Sequence, residues 1–175
     1  MTIRYRVDAE DRLVEFGGEW DAFAAANGAA GLTIEHLRGR PLPALVTGTE
    51  MQSLTAMLLK RARAAGEVEV PFRCDAPDAR RFLSMSLRRA AEDGVVIETT
   101  LLRTEPRPAV ALFDENVPRS GELLVVCSWC KRVRLDGQQW VEVEDAVATL
   151  GLFEAAALPQ LSHGICPPCR ARFFA

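Results

Sequence analysis

The chain has 175 residues, 49% apolar and 26% charged, with a formal net charge of −3. That make-up suits a soluble globular protein with room for one domain and a small companion, and it contains no run of about 18 apolar residues that would span a membrane as a helix. Residues 119–175 carry six Lys/Arg against six Asp/Glu and the rest holds the full −3, so neither part is the basic patch that binding to a phosphate backbone requires.

Met1–Arg6 is charged and lacks an apolar run, so no signal peptide is expected. A reducing, cytoplasmic location follows as the expectation, and there paired cysteines serve more often as metal ligands or redox groups than as disulfides. Thr2–Val7 and Arg12–Phe16 read as strands around the polar turn Asp8-Ala9-Glu10-Asp11. Gly17-Gly18 breaks the second. Trp20, Phe23 and Ala24 then share one face of a short helix that stops at Asn27-Gly28. Gly31, Gly39, Pro41, Pro43 and Gly48 break the next stretch into short turns, Ile34–Arg38 and Pro43–Val46. Thr49 to Ala65 is the clearest helix, with Met51, Leu54, Leu58, Leu59 and Ala62 at the 3.6-residue period. Thr49 and Gln52 form the expected capping box, and Gly66 ends the helix.

Three strands follow. Val68, Val70, Phe72 and Cys74 alternate with polar residues or proline, which places Cys74 in the core. Leu83, Met85 and Leu87 alternate after a polar turn at 74–79. Val95–Arg103, entered through Asp93-Gly94, is rich in Val, Ile and Thr. Such strands each show one apolar side, so an α+β fold is expected, with an antiparallel sheet and helices on one face. The element order over residues 3–103, the helix Trp20–Asn27 after the first hairpin, Gly39-Arg40-Pro41-Leu42, and the long helix leading into three strands resemble a PAS domain. That resemblance implies a five-stranded sheet, a sensing or dimerisation role and pairing into a homodimer. It leaves any ligand open. Trp20 and Phe23 would either line or fill its interior.

Residues 105–122, with Pro106 and Pro108, read as a linker interrupted by the apolar run Val110-Ala111-Leu112-Phe113. This divides the chain into a domain at 1–104, a linker at 105–122 and a module at 123–175. The module holds two C-x-x-C pairs, Cys127/Cys130 and Cys166/Cys169, with 35 residues between them. Two thiolate pairs at i, i+3 complete the four-sulfur shell that structural Zn²⁺ prefers. Leu123–Val126 is an apolar strand into the first pair. Lys131–Leu135 and Gln139–Val143 form a hairpin about Asp136-Gly137, Trp140 covers a small core, and Glu144 to Leu150 is a helix. Leu161–Ile165 is a tight approach to the second pair, and Pro167-Pro168 open a terminal helix whose dipole favours a thiolate at Cys169. The layout is treble-clef-like.

Cys127-Ser128-Trp129-Cys130-Lys131-Arg132-Val133-Arg134, Asp136-Gly137, Trp140, Glu142 and Ser162-His163-Gly164-Ile165-Cys166-Pro167-Pro168-Cys169 together resemble a C-terminal module of bacterial signalling proteins that follows PAS or receiver domains. The resemblance implies a signalling context and a protein partner, without a reaction. A closed four-thiolate shell leaves no position for a reactive water, and no nucleophile–base pair stands out, so a non-enzymatic signalling or adaptor protein is the expected function. One alternative is a thiol-based redox or metal sensor. Another is a nucleic-acid-binding regulator using Lys131, Arg132 and Arg134, which Glu142, Glu144 and Asp145 would neutralise. His163 is read as a turn residue or a donor to a sulfur, and His36 as a surface residue.

Overall fold

The computed structural model describes residues 2–17, 20–26, 28–114, 116–136 and 139–174, with the backbone alone at 173 and 174. The expected breaks at Gly18 and Asn27 and the turn at Gly137 lie outside those residues. The chain forms two compact units, Met1–Val70 with Ser84–Leu101 and Pro71–Leu83 with Leu102–Ala175. Each of the three strands that follow the long helix contributes residues to both.

Five antiparallel strands, β1 (Thr2–Val7), β2 (Leu13–Gly17), β3 (Glu67–Arg73), β4 (Ala79–Arg89) and β5 (Val95–Pro106), form one sheet in the order β2-β1-β5-β4-β3. β1 lies between β2 and β5. It pairs antiparallel with β2, Tyr5 opposite Phe16, and with β5, Tyr5 opposite Ile97. Its alternation buries Ile3 and Val7, and β2 and β5 bury Leu13, Val95 and Ile97.

Between β2 and β3 lie α1 (Trp20–Ala26), α2 (Ile34–Leu37), a 3-10 turn at Leu42–Leu45 and α3 (Thr49–Ala65). α3 has the expected bounds, and Leu54, Leu58, Leu59 and Ala62 are its buried stripe. Its N-terminus differs from expectation. Gly48, not Thr49, is the capping position, at φ 88°, and no side chain caps it. Glycine alone takes that backbone conformation without steric cost. Gln52 instead donates Nε2–H to Val46 O at 3.0 Å.

Arg63 fixes the other end of α3. Its guanidinium donates to Asp93 O (2.7 Å), Asp8 O (2.9 Å) and Asp11 Oδ1 (2.6 Å), joining the helix to the β1–β2 and β4–β5 turns. Trp20 is a packing residue: its ring meets Tyr5 and Phe16 edge-on at 5.6 and 5.3 Å, and its Nε1–H donates to Leu32 O. His36 is exposed and closes a turn with Thr33, as a surface role implies.

The second unit is built on a four-stranded sheet, β8-β7-β6-β9. β6 (Arg119–Cys127) runs parallel to β9 (Leu158–Gly164), β7 (Val133–Arg134) antiparallel to β6, and β8 (Trp140–Val141) antiparallel to β7. Its helices are α4 (Val143–Thr149) and α5 (Pro167–Phe174). The stretch read as a linker is folded. β5 continues to Pro106, Ala111–Phe113 form a 3-10 turn, and Val110 and Leu112 enter a core with Leu124, Val126, Val133, Val143, Ala146, Val147 and Leu158. Trp140, expected to cover that core, is half-buried outside it; the 110–113 run fills the space instead. Likewise the approach to the second cysteine pair is strand β9 rather than a tight turn.

Cys74 is a further correction. It is exposed, one residue past the end of β3. The alternation fails because Arg73, not Cys74, is buried, and an arginine can be buried there because carboxylates meet it. Among the described residues no helix is long and apolar enough to cross a membrane.

Candidate metal centre

β6 carries the first cysteine pair into place. Leu124 and Val126 anchor it in the core, and parallel pairing with β9 sets Cys127 opposite Gly164. The chain then turns back on itself in a compact knuckle. Cys127 N–H donates to Arg132 O (2.7 Å), Lys131 N–H to Cys127 O (3.1 Å), and Ser128 N–H to Gly164 O (2.9 Å). Lys131 adopts φ 62°, uncommon for a residue with a side chain, and its Nζ folds back to donate to Ser128 O at 3.0 Å. The second pair straddles the start of α5. Cys166 precedes Pro167, Cys169 lies in the first turn, and Arg170 N–H closes on Cys166 O at 2.9 Å. Proline is suited to that first turn, where its missing N–H has no helical partner to lose.

The four sulfurs of Cys127, Cys130, Cys166 and Cys169 all lie within 4.8 Å of one another, with Cys130 and Cys166 at 3.6 Å. A tetrahedron with metal–sulfur bonds of about 2.3 Å has sulfur–sulfur edges of about 3.8 Å. The donor set therefore fits one ion, and these residues could hold it. Cys127 and Cys166 are buried and the other two are half-buried.

The electrostatics of the protein shell alone carry the same message. Cys127 is held far below the ordinary thiol range because Cys130 and Cys169 donate hydrogen bonds to it; Cys166 N–H, 3.5 Å from its sulfur, adds to this. Cys130, facing that thiolate, is pushed up to about 12, and Cys169 is pushed up by Cys127 and Cys130. One sulfur ionises at the expense of its neighbours, so a four-thiolate state needs a cation among them. His163 lies on β9 and is exposed, opposite Val126, while the clustered set is four cysteines.

A second constellation adjoins the knuckle; only its Arg132–Glu142 end was expected from the sequence. Arg132, Glu142, Arg73, Asp75, Arg107, Glu144 and Arg80 form a chain of alternating charge. The links are Arg132–Glu142 (3.3 Å), Glu142–Arg73 (2.8 Å), Arg73–Asp75 (2.5 Å), Asp75–Arg107 (3.2 Å), Arg107–Glu144 (3.3 Å) and Glu144–Arg80 (2.7 Å). Asp75 and Arg107 are 1% and 3% exposed. Arg107 also donates to Ala76 O and Pro77 O, holding the 74–79 turn. Burial would raise the carboxyl of Glu144. Its own backbone N–H and the guanidinium of Arg80, with the charge of Arg107, overcome that and keep it below its ordinary range. The backbone joins in: Arg73 N–H donates to Trp129 O at 2.7 Å, and Phe72 meets Trp129 edge-on at 6.0 Å. No periodicity marks such a chain, because its members come from 73–80, 107 and 132–144 and only folding aligns them.

Compared with known proteins, the chain matches no family model and no curated protein.

Proposed function

We propose that the protein is a non-enzymatic signalling or adaptor protein. A PAS-like sensing or dimerisation fold is coupled to a treble-clef-like module whose four cysteines hold a structural Zn²⁺, and that module meets a protein partner. The observation that carries this reading is the convergence of Cys127, Cys130, Cys166 and Cys169 within 4.8 Å. Four sulfurs suit Zn²⁺, and a shell they close offers no coordination position for a substrate. The knuckle, the β7–β8 hairpin and a helix opening on the second pair support the treble-clef-like description. The five-stranded antiparallel sheet, with its helices inserted between β2 and β3, supports the PAS-like one. The reading against nucleic acid is supported by how two of the three cations named for it are used: Arg132 meets Glu142, and Lys131 Nζ meets Ser128 O.

Metal analysis with native mass spectrometry of the purified protein tests this reading. One zinc per chain is expected, falling below one in Cys130→Ser with loss of order in the second unit. A metal-free, fully folded protein overturns it. The same preparation under light scattering reports the homodimer that the PAS-like fold implies. A monomer at micromolar concentration removes that part.

A redox reading draws on one observation, the 3.6 Å between the sulfurs of Cys130 and Cys166. Oxidation there would expel the ion and release the module. Zinc release at low peroxide doses supports it, and inert thiols remove it.

A further inference from the structure

The four sulfurs of the candidate centre are not equally sheltered. Cys127 and Cys166 are 0% exposed, whereas Cys130 and Cys169 are half-buried. The buried two are tied to each other and to the sheet. Cys127 ends β6 opposite Gly164 of β9, and its sulfur accepts the Cys166 N–H at 3.5 Å. Cys130 and Cys169 instead stand in the wall of a groove of about 330 Å³ within the second unit. Phe72, Phe82, Leu102 and Trp129 give that groove an apolar floor. Leu102, at 61% exposed, stands where the groove meets solvent.

The chemistry of the groove follows from that placement. The thiolate, not the thiol, is the nucleophile of cysteine, and a sulfur must be deprotonated to hold a metal. With the ion in place, the groove therefore presents two thiolates beside an apolar surface. A small polar reagent gains nothing from that surface. A reagent with an apolar body does, because burying a side chain the size of Phe is worth about 1.5–3 kcal/mol. The volume, at the small end of binding sites, suits such a body.

We infer that the groove is a reactive site at which Cys130 or Cys169 is alkylated by a soft electrophile with an apolar body, of the α,β-unsaturated carbonyl class. The inference rests on the zinc reading above and states how the centre is opened. The thiolate sulfur adds to the β-carbon of the electrophile, forming one C–S bond. The displaced π pair passes to the carbonyl as an enolate, and the α-carbon takes a proton from water. The sulfur becomes an uncharged thioether, so the shell loses a thiolate donor and its hold on the ion. Cys127 and Cys166, buried away from the groove wall, stay unmodified at this stage.

The test uses the zinc-loaded 175-residue chain and two reagents with the same reactive ring, N-benzylmaleimide and N-methylmaleimide. Mass spectrometry of digests times the labelling of each cysteine, and a chromogenic chelator reports zinc. Cys74, exposed and outside the groove lining, gives the intrinsic rate of each reagent in the same molecule. Relative to Cys74, Cys130 and Cys169 are expected to react about tenfold faster with the benzyl reagent than with the methyl one, the low end of what burying one ring gives. Zinc is expected to appear in step with that labelling, ahead of any at Cys127 or Cys166. Leu102→Ser, at an exposed position where folding is not at stake, is expected to remove most of the benzyl preference and leave the methyl rates unchanged. Labelling of Cys127 or Cys166 first, no labelling of Cys130 or Cys169, no benzyl preference there, or a preference that Leu102→Ser leaves intact overturns the inference. So does labelling of all four at one rate independent of reagent concentration, since the module then unfolds before it reacts. Each of these outcomes in a zinc-bearing chain leaves the zinc reading standing. A chain without zinc ends both.

Discussion

Asp75, 1% exposed, sits between Arg73 and Arg107. Truncating one member of a buried ion pair leaves its partners charged and unpaired, which costs about 3–5 kcal/mol. Asp75→Ala should lower the stability of the second unit by that order in urea unfolding. Asp75→Asn, which keeps a hydrogen-bond acceptor, should cost less. Gly94 offers a contrast by crowding rather than charge. A Cβ there would lie 2.8 Å from Val7 O, a backbone atom that cannot step aside. Gly94→Ala should cost about 1–3 kcal/mol, read as a lower urea midpoint, by overpacking at the β1–β5 pairing. The sequence marked Asp93-Gly94 as a turn, and it is one; it gave no hint that a neighbouring strand needs the missing side chain. The four cysteines were legible for the opposite reason. Ligand spacing is local, so i, i+3 pairs announce themselves, whereas Asp75 looked like one more polar turn residue because its two arginines are distant in sequence.

At the scale of elements, periodicity served best where burial alone decides. α3 was legible to its bounds because its apolar stripe and Gly66 fix both phase and end. The tip of β3 was not, because an ion pair can bury an arginine and turn the next residue, Cys74, outward. The apolar run 110–113 was visible, but its place in the core of the second unit was not, since the proline steps before it, Pro106 and Pro108, read as an extended connector. α4 shows how charge holds such a core. Glu144 in its first turn is kept ionised by Arg80 and Arg107. Its folded pKa lies below the unfolded value, so its contribution is complete above the ordinary carboxylate range and is lost as pH falls through the lowered folded value. The urea midpoint of the second unit should therefore drop on acidification. Glu144→Gln should show a shallower drop over the same window. Equal slopes for the two proteins would show that Glu144 contributes nothing to acid sensitivity.

At the scale of the whole molecule, the sequence divides at one place and the folded chain does not. Residues 71–83 belong with 102–175, held by Arg73, Asp75 and Arg107, by the 74–79 turn and by Phe72 against Trp129. Chelation of the whole 175-residue chain should thus expose more than the knuckle. Hydrogen exchange at 71–81 should accelerate together with that at 127–130, whereas the amides of Leu54–Ala62 should keep their protection. Unchanged exchange at 71–81 would show that the ion braces only its own loop. The division of β3, β4 and β5 between the two units has one more consequence. A gene that swapped one tail for another at the proline-rich stretch would carry away a module missing one of its own sides. Such a lineage should exchange the two parts by recombination less freely than beads on a string, and a hybrid built at that seam should need residues 71–83 transplanted as well.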